Sequence, residues 1–556
     1  MDADAIVVGA GLAGLIATHE LTRQGKKVAV LDQENRGNLG GQAFWSGGGL
    51  FLVNSPEQRR LGIKDSVELA WSDWCGSASF DRLDGEDQWA AQWARCYVEF
   101  AAGEKRSWLR EHGVKLLPVV GWAERGDLRA DGHGNSVPRF HLTWGAGNGV
   151  LEPFVNSALD AAARGLVTFH HRHRVDELAL SAGAVCGVRG AVLAPDDSRR
   201  GEPSNRDILR QFDFSARCVI LTTGGIGGNP TSVRQHWSPR MGVAPRSMIT
   251  GAPAYVDGRM LDIVAALGVR VVNRDRMWHY AEGVQNWDPV WRGHAIRVLA
   301  GPSSMWFDAL GRRLPQPFLP GYDNLGTLRY LRTTPEIAEF DHSWFIQTQK
   351  AVAREFALSG SDQNPDIANR SLTAFARERL LRRGAPTPVE AFKKHGADFI
   401  VADTLEDLVA RMNGLTERPL LDVRAMRSQI EARDRQMANP YSKDSQVQGY
   451  WNARRFIADR IGRTAAPHRI LDPTAGPLIA TKLHVMTRKT LGGIQTDLSS
   501  RALGHDGTPV EGLFAAGEAA GFGGGGVHGY NALEGTFLGG CVYSGRIAGR
   551  AAADAL

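Results

Sequence analysis

Ala5-Ile6-Val7-Val8 leads directly into Gly9-Ala10-Gly11-Leu12-Ala13-Gly14, the segment most informative about the architecture. A helical pattern follows, and a second apolar run, Val28-Ala29-Val30-Leu31, ends at Asp32. The order is strand, G-x-G-x-x-G turn, helix, strand and acid, which is typical of a dinucleotide site. It therefore predicts a Rossmann-type βαβ unit, and the alternative is a glycine-rich turn that binds no ligand.

Each part of this pattern has a physical task in holding a dinucleotide. Gly9 permits the tight turn, Gly11 lets the backbone approach a pyrophosphate, and Gly14 lets the helix pack on the strand. The N-terminus of the helix offers free N–H groups and a positive dipole to phosphates, and Asp32 accepts hydrogen bonds from ribose hydroxyls. The predicted contacts are Gly9, Gly11, Leu12, Ala13, Gly14, Asp32 and Gln33. This motif alone does not separate FAD from NAD.

The next glycine cluster, Gly40-Gly41-Gln42-Ala43-Phe44-Trp45-Ser46-Gly47-Gly48-Gly49, separates the two. Here the chain resembles the flavoprotein superfamily of fumarate reductases, succinate dehydrogenases and 3-ketosteroid Δ1-dehydrogenases, in which two such clusters run along the flavin. Members with covalent flavin carry a His six residues before the second cluster, where this chain has Gln42. The resemblance therefore implies non-covalent FAD, held by Gly41, Gln42, Ala43, Ser46, Gly47 and Gly48.

The resemblance recurs along most of the chain. Val167 to Val175 is predicted as a strand, with Val175 at the adenine, and Ala184 to Val192 as another. Cys218 to Asn229 looks like the family's A-T-G-G segment, which implies that Thr223 and Gly224 approach the diphosphate. Gly512-Leu513-Phe514-Ala515-Ala516-Gly517-Glu518 looks like its G-L-Y-A-A-G-E, which places Glu518 at the ribityl chain. Backbone N–H groups near Thr536, Phe537 and Leu538 are expected to face the flavin pyrimidine, where a helix N-terminus would stabilise the reduced ring.

The predicted fold class is α/β, with a Rossmann-type FAD-binding domain split between the two ends of the chain. Residues 1–275 and 486–556 form this domain, with an insertion at about 55–150, and residues 276–485 form an inserted α+β capping or substrate domain. Helices are expected around 336–358, 367–383, 404–413 and 423–437. The tryptophans of the first insertion are expected to be mainly core, with a substrate pocket as the alternative.

Departures from the family pattern restrict the chemistry. Lys489 stands where fumarate reductases have the His of H-T-M-G-G, and Ala532 stands where they have a substrate-binding Arg. Fumarate reduction is therefore not expected. The tyrosine that ketosteroid dehydrogenases place before their G-G pair is also missing, and Tyr280, Tyr450 or Tyr530 could fill its role. The segments 275–280 and 302–308 look like those of actinobacterial-type FAD-binding dehydrogenases without an assigned substrate.

The candidate catalytic groups are polar residues beside motifs that should border the reactive face of the flavin. They are His279, Tyr280, Arg488, Lys489, His528 and Tyr530, with His484 and Glu534 as further candidates. Each has an ordinary alternative: a hinge or core residue, a satisfied buried histidine, an ion pair at the domain boundary, or support for the glycine loop. The cationic pair Arg488-Lys489 is expected to hold a carbonyl oxygen.

Two classes of function remain open at this point. The first is an FAD-dependent dehydrogenase or reductase that transfers hydride between flavin N5 and a carbon–carbon bond next to a carbonyl, on a ketosteroid- or enone-like substrate. The second is an oxidase or an electron-transfer flavoprotein. The expected partners are a small-molecule substrate and an electron acceptor that the sequence does not identify, and no separate NAD(P)H motif is present.

Composition excludes several other classes. The 556 residues carry 65 basic and 60 acidic side chains, a net charge of +5 without a long basic run, so nucleic-acid binding is not expected. The five cysteines are scattered and include no C-x-x-C, which predicts neither a metal site nor a disulfide framework. No apolar run is long enough to span a membrane, and the apolar start is too short for a signal peptide. A cytoplasmic location is therefore expected.

Overall fold

The computed structural model describes residues 3–381, 384–439 and 441–556. The strands in these ranges are β1 (Ala5–Val8), β2 (Val28–Asp32), β3 (Gly49–Phe51), β4 (Leu116–Gly121), β5 (Phe140–Thr143), β6 (Val167–His171), β7 (His173–Ser181), β8 (Ala184–Leu193), β9 (Ile208–Ser215), β10 (Cys218–Leu221), β11 (Ile249–Thr250), β12 (Val271–Val272), β13 (Met277–Gln285), β14 (Ala295–Leu299), β15 (Met305–Phe307), β16 (His342–Thr348), β17 (Ala357–Leu358), β18 (Phe399–Ala402), β19 (Leu478–Thr490), β20 (Gly493–Ile494), β21 (Arg501–Leu503) and β22 (Pro509–Ala515).

The α-helices in the same ranges are α1 (Leu12–Arg23), α2 (Pro56–Arg60), α3 (Val67–Ala78), α4 (Gln88–Ala102), α5 (Lys105–Glu111), α6 (Ala146–Ala163), α7 (Pro230–Gln235), α8 (Arg259–Ala266), α9 (Asn324–Thr333), α10 (Gln349–Glu355), α11 (Pro365–Ala368), α12 (Leu372–Phe375), α13 (Thr387–His395), α14 (Leu405–Gly414), α15 (Val423–Met437), α16 (Ser445–Ala453), α17 (Ile457–Gly462) and α18 (Thr536–Ala555). Short 3₁₀ turns lie at Arg36–Asn38, Gly41–Trp45, Pro239–Met241, Pro473–Ala475 and Gly517–Ala519, and a π turn lies at Ala376–Leu381. No helix within the described ranges is long and apolar enough to cross a membrane.

A six-stranded sheet joins the two ends of the chain. Its order is β21-β22-β10-β1-β2-β6, and all neighbours except β21 and β22 run parallel. The residues of β1 are buried on both faces, as expected for a central parallel strand covered by helices. Strand β22 enters this sheet beside β10 with Val219 opposite Leu513. The predicted α/β fold with a Rossmann-type unit completed from the C-terminal part is confirmed.

Helix α18 packs against α1 through a seam of small residues. A Cβ added at Gly545 would lie 2.6 Å from the carbonyl oxygen of Ala13, and one at Gly549 would lie 2.6 Å from that of Ala17. Glycine at these two positions therefore lets the two helix backbones touch. The seam fixes the N-terminus of α1 relative to the C-terminal part of the chain.

A second sheet is built around the long strand β19. Its main order is β15-β16-β19-β13-β14-β17, and β11 and β18 also pair with β19. Strand β19 has 13 residues, of which Leu478 to His484 pair with β16 while the end at Met486 to Thr490 pairs with β13. Its last residue, Thr490, donates its backbone N–H to Glu518 at 2.8 Å, so β19 connects the second sheet to the C-terminal part of the first.

Two helix predictions and one strand prediction need correction. The helix expected at 336–358 is wrong over its centre, because Trp344, Phe345 and Ile346 are fully buried in β16 between β15 and β19, and only α10 is helical. The short apolar run does not by itself separate a buried strand from a buried helix. The helix expected at 367–383 is interrupted at Arg370, whose φ is 53°, and its end at 382–383 lies outside the described residues.

The strand expected at 167–175 is two strands. Arg172 has a φ of 60°, so the chain turns there, β6 joins the six-stranded sheet, and β7 starts a separate sheet with β8 and β9. The guanidinium of Arg172 holds this corner by donating to the carbonyl oxygens of Gln33, Ala194 and Asn205. The helices expected at 404–413 and 423–437 are confirmed as α14 and α15.

Candidate active site

A cavity of about 450 Å³ lies between the two sheets, and its wall contains residues of β1, β2, β13, β14 and β19 together with α1 and α18. Most of the residues expected to hold a dinucleotide lie on this wall. They are Gly9, Gly11, Leu12, Ala13, Asp32, Gln33, Gly41, Gln42, Ala43, Ser46, Gly47, Val175, Thr223, Gly224, Glu518, Phe537 and Leu538. Gly14, Gly48 and Thr536 lie outside it.

Gly9 and Gly11 show how the backbone makes room at this wall. Gly9 has a φ of 100°, and a Cβ there would lie 2.6 Å from the carbonyl oxygen of Thr222, so a larger residue would strike the end of β10. A Cβ at Gly11 would meet no protein atom within 4 Å. The space above Gly11 is therefore cavity. Gly14 has the packing role that the motif predicts, because a Cβ there would overlap the carbonyl oxygen of Gly9.

Two helix N-termini point their unpaired backbone groups toward the cavity. Helix α1 follows Gly11 and helix α18 follows Gly535, and neither has a side chain that caps its first turn. Free N–H groups at a helix start attract anions and partial negative charge. Thr536 lies behind this surface, where its hydroxyl accepts from His528 Nε2 at 2.9 Å and donates to the carbonyl oxygen of Leu533.

Two carboxylates, the half-buried Asp32 and the buried Glu518, line the cavity. Asp32 accepts the backbone N–H groups of Ala10 and Glu34, each at 2.8 Å, and burial raises the pKa of its carboxyl group to about 6. Glu518 accepts from Gln42 Nε2 and from the backbone N–H of Thr490, both at 2.8 Å, and burial raises the pKa of its carboxyl group. The side-chain amide of Gln42 therefore donates to Glu518.

A β-bulge brings two cationic residues to one wall. Trp278 pairs with Lys489 and His279 pairs with Thr487, so Arg488 is an extra residue on β19. A bulge changes the direction in which side chains point, and both Arg488 and Lys489 line the cavity although they are consecutive. Lys489 Nζ lies 4.6 Å from the ring centre of Phe537. Burial and the charge of Arg488 lower the pKa of the Lys489 ammonium to about 7.

Tyr280 lies on the same wall beside a buried ionic cluster. The guanidinium carbon of Arg297 is 4.2 Å from the centre of the Tyr280 ring, and burial raises the pKa of the Tyr280 hydroxyl. Arg297 forms ion pairs with Glu124 and Glu534, and its Nε lies 3.5 Å from Glu282. Burial raises the pKa of the Glu282 carboxyl group to about 7. One guanidinium thus faces three carboxylates, and Arg297, Glu534 and Tyr280 all reach the cavity.

The other candidate catalytic residues lie away from the cavity wall. His279 follows strand alternation to the face opposite Tyr280, where it stacks on Trp237 with ring centres 4.7 Å apart. His528 is buried against Trp74 and supports Thr536. Tyr530 donates to Asp81 at 3.0 Å, and its ring lies over Arg276.

Two further candidate catalytic residues, His484 and Tyr450, form hydrogen bonds away from the cavity wall. His484 pairs with Asp398 at 2.7 Å, and Tyr450 donates to the carbonyl oxygen of Ala465 at 2.7 Å. Of the candidate residues, Tyr280, Arg488, Lys489 and Glu534 are those that the structure brings together at the cavity.

Several wall residues had no assigned role in the sequence prediction, among them Arg297, Trp45, Tyr255 and Arg463. Arg297 carried a usable signal, because it interrupts the apolar run Ala295 to Leu299. A charge within a buried strand must be paired. The tryptophans of the first insertion divide between both expectations: Trp74, Trp93 and Trp108 are buried in the core, whereas Trp122 lines the cavity.

Comparison with known proteins agrees with this geometry. A family model described as FAD binding domain matches residues 4–538. The chain belongs to this FAD-binding family.

A KsdD-like steroid dehydrogenase of Mycobacterium tuberculosis is 57% identical over 554 residues, covering 100% of this chain and 96% of the relative. One of Mycolicibacterium smegmatis is 56% identical over 539 residues, covering 97% and 96%. The solved 3-ketosteroid Δ1-dehydrogenase of Sterolibacterium denitrificans matches with a TM-score of 0.68 and 15% identity, covering 100% of both chains, which shows a shared fold. The predicted superfamily and the class of FAD-dependent oxidoreductase are confirmed by these matches.

The residues of the cavity fit FAD. The open space above Gly11 lies beside an uncapped helix N-terminus, which suits a pyrophosphate. Asp32 and Glu518 offer carboxylate oxygens that accept from sugar-like hydroxyls. The N-terminus of α18 at Phe537 and Leu538 would stabilise negative charge on the reduced flavin.

Proposed function

We propose that this protein is an FAD-dependent dehydrogenase that oxidises a carbon–carbon bond next to the ketone of a ketosteroid-like substrate. The observation that carries the proposal is the group of Tyr280, Arg488 and Lys489 on one cavity wall, next to the N-terminus of α18. Support comes also from the full-length relatives, whose names describe steroid dehydrogenases.

The three residues can divide the chemistry among themselves. The guanidinium of Arg488 can hold the ketone oxygen as it becomes an enolate. The Tyr280 phenol stays protonated at neutral pH because its pKa is raised, so it can donate a hydrogen bond to the same oxygen. The neutral amine of Lys489 is populated near pH 7, so it can accept the proton from the carbon next to the ketone. Bound FAD supplies the acceptor for the hydride that leaves the neighbouring carbon.

This assignment gives Lys489 a different role from the one expected from the sequence, in which both cations hold the oxygen. A proton acceptor must be uncharged before the reaction, and burial beside Arg488 favours the uncharged amine.

We further propose that FAD is bound without a covalent link, because Gln42 cannot form the histidyl bond and its amide is engaged with Glu518. The division into an FAD-binding part (1–275 and 486–556) and a capping part (276–485) is supported by the second sheet, whose strands β13 to β18 lie within 276–485, while β19 runs on to Thr490. The electron acceptor stays open.

Anaerobic reduction of the FAD-loaded protein tests the proposal. A 3-oxo-Δ4 steroid is added without any other acceptor, and the visible absorbance of the flavin is followed while the steroid is analysed by mass spectrometry. We expect bleaching together with the loss of two hydrogens from the steroid. No bleaching with any 3-oxo steroid or enone would overturn the proposal, and rapid reoxidation of the reduced protein by oxygen would favour an oxidase.

A further inference from the structure

Arg463 is a cation on the cavity wall that has few partners within the protein. It follows helix α17, and it lines the same cavity as Tyr280 and Arg488. Its guanidinium makes one side-chain hydrogen bond within the described residues, from Nη2 to the carbonyl oxygen of Leu299 at 3.3 Å. A guanidinium has five N–H donors, so most of its hydrogen-bonding capacity is unused.

The nearby carboxylates are engaged with other groups. Asp459 forms an ion pair with Arg125, which lies over the ring of Trp122 at 4.4 Å. Glu355 accepts the hydroxyl of Ser303 at 2.6 Å and the backbone N–H of Ala465 at 2.7 Å. Both carboxylates attract Arg463 at longer range, yet within the described part of the chain neither lies within ion-pair distance of it.

Partial removal from water lowers the pKa of the Arg463 guanidinium, which has no close counter-ion within the described residues. Such a charge is costly unless an anion pairs with it. An anionic group that enters the cavity would recover part of this cost.

The place of Arg463 in the cavity indicates which part of a substrate it would meet. Leu299, whose carbonyl it contacts, lies two residues after Arg297 on β14, a distance of about 7 Å along the strand. At this point β14 pairs with the apolar strand β17, with Leu299 opposite Ala357. Leu299 lies in the part of β14 that pairs with β17, beyond the residues that pair with β13, the strand that carries Tyr280, so Arg463 lies beside an apolar part of the wall.

We propose that Arg463 binds a carboxylate carried by the substrate at the end remote from its reacting ketone. The substrate class is then a 3-oxo steroid or similar flat ketone with an acidic side chain, in preference to a neutral diketone. This inference rests on the proposed function for the nature of the ketone. The pairing of the Arg463 guanidinium with a substrate carboxylate does not depend on the proposed function.

Binding to the wild-type, FAD-loaded protein gives the first test. A 3-oxo-Δ4 steroid with a side-chain carboxylate and the methyl ester of the same steroid are titrated separately, and the shift of the flavin absorbance is followed. We expect the acid to bind at least about tenfold more tightly, because a charge-assisted hydrogen bond is formed with a guanidinium that has no close counter-ion within the described residues. Equal dissociation constants for acid and ester would overturn the inference.

Variants locate the preference at one residue. Arg463→Gln is expected to reduce the acid-over-ester preference by about tenfold, and Arg463→Lys to keep part of it. Arg460→Gln is the matched control, because Arg460 is exposed on the same helix and lies off the cavity wall. A preference that persists in Arg463→Gln would overturn the assignment. If Arg463→Gln fails to retain FAD, Arg463→Lys and the wild-type titrations decide.

The two proposals can fail separately. If neither the acid nor the ester bleaches the flavin, the proposed reaction is wrong, while the binding titration still measures the acid-over-ester preference. If both bleach the flavin equally well and bind equally, the reaction stands and the carboxylate site is wrong.

Discussion

Lys489 is held where burial and a neighbouring guanidinium both oppose its charge. With a pKa of about 7, its amine is mostly protonated below neutral pH and mostly free above it. If Lys489 accepts the proton, kcat rises with pH along one limb with its midpoint near pH 7. Lys489→Met is expected to lower kcat by about 10² to 10⁴.

Lys489→Arg is the control for charge, because arginine keeps the cation but does not release its proton at these pH values. We expect it to be as impaired as Lys489→Met. A rate that falls above pH 7, or an active Lys489→Arg enzyme, would instead indicate that the ammonium holds the ketone oxygen. Steady-state rates between about pH 5.5 and 9 with saturating steroid separate the two roles.

Gly11 allows a direct test of the dinucleotide cradle. Its φ is −76°, which any residue can adopt, and an added Cβ meets no protein atom. Gly11→Val should therefore fold normally, with its methyl groups in the space meant for the pyrophosphate, and should lose FAD affinity by roughly 100-fold or more.

Gly414→Val is the matched control for Gly11→Val, because a Cβ at Gly414 also meets no atom within 4 Å but lies off the cavity wall. The flavin-to-protein ratio after gel filtration and the far-ultraviolet circular dichroism provide the measurements. A Gly11→Val protein that stays fully yellow would contradict the placement of the pyrophosphate.

Among the elements, the seam between α1 and α18 couples stability to cofactor binding. Gly545→Val would push its side chain into the carbonyl oxygen of Ala13, one turn from the uncapped end of α1. We expect a loss of about 1 to 3 kcal/mol in the free energy of unfolding, together with weaker FAD binding. Ala555→Val, at an exposed position of α18, should change neither. Urea unfolding and FAD titration of both variants test this, and an unchanged Gly545→Val would exclude a tight seam.

Some of the helices and strands could be predicted from the sequence, and others could not. The βαβ unit and α15 follow from local patterns, because their periodicity and end signals lie within the segment itself. The sequence predicts a helix at β16 because its short apolar run does not show that it pairs with β15 and β19. Both pairings are visible only in the structure. The bulge at Arg488 depends on the register against β13, and no local pattern encodes that register.

The residues of the site likewise fall into those that a local motif predicts and those that depend on long-range packing. Glycines and acids of the dinucleotide motif were predictable, since each has a fixed task at a fixed spacing. His279 and Tyr280 are neighbours in sequence, and only the pairing of β13 decides which of them faces the cavity. Arg297 and Arg463 reach the cavity from strands and helices whose packing the sequence does not reveal.

At the scale of the whole molecule, the flavin is held by parts of the chain that meet only in the folded state. Gln42 and Glu518, which share a hydrogen bond at the cavity, are 476 residues apart. A cofactor held in this way leaves when the fold is lost. We expect acid or urea to release free FAD. We also expect excess FAD to raise the free energy of unfolding, by about 2.7 kcal/mol when its free concentration is 100 times its dissociation constant.

Mass spectrometry of the denatured chain is the decisive measurement for non-covalent binding. The mass should equal that of the polypeptide alone. Flavin that stays with the precipitated protein and adds to its mass would contradict the role given to Gln42.

The parallel pairing of β10 with β22 has a consequence for how the protein is made. On the ribosome, β1, α1 and β2 emerge well before β22, which pairs with β10, and before α18, which packs against α1. Residues 33–508, including the whole second sheet, separate β2 from β22. Until α18 has been made, the face of α1 that packs against it stays exposed, and the cavity lacks its C-terminal residues. A chain halted before residue 513 would lack Glu518 and the N-terminus of α18, so we expect FAD to bind only after these parts have been made.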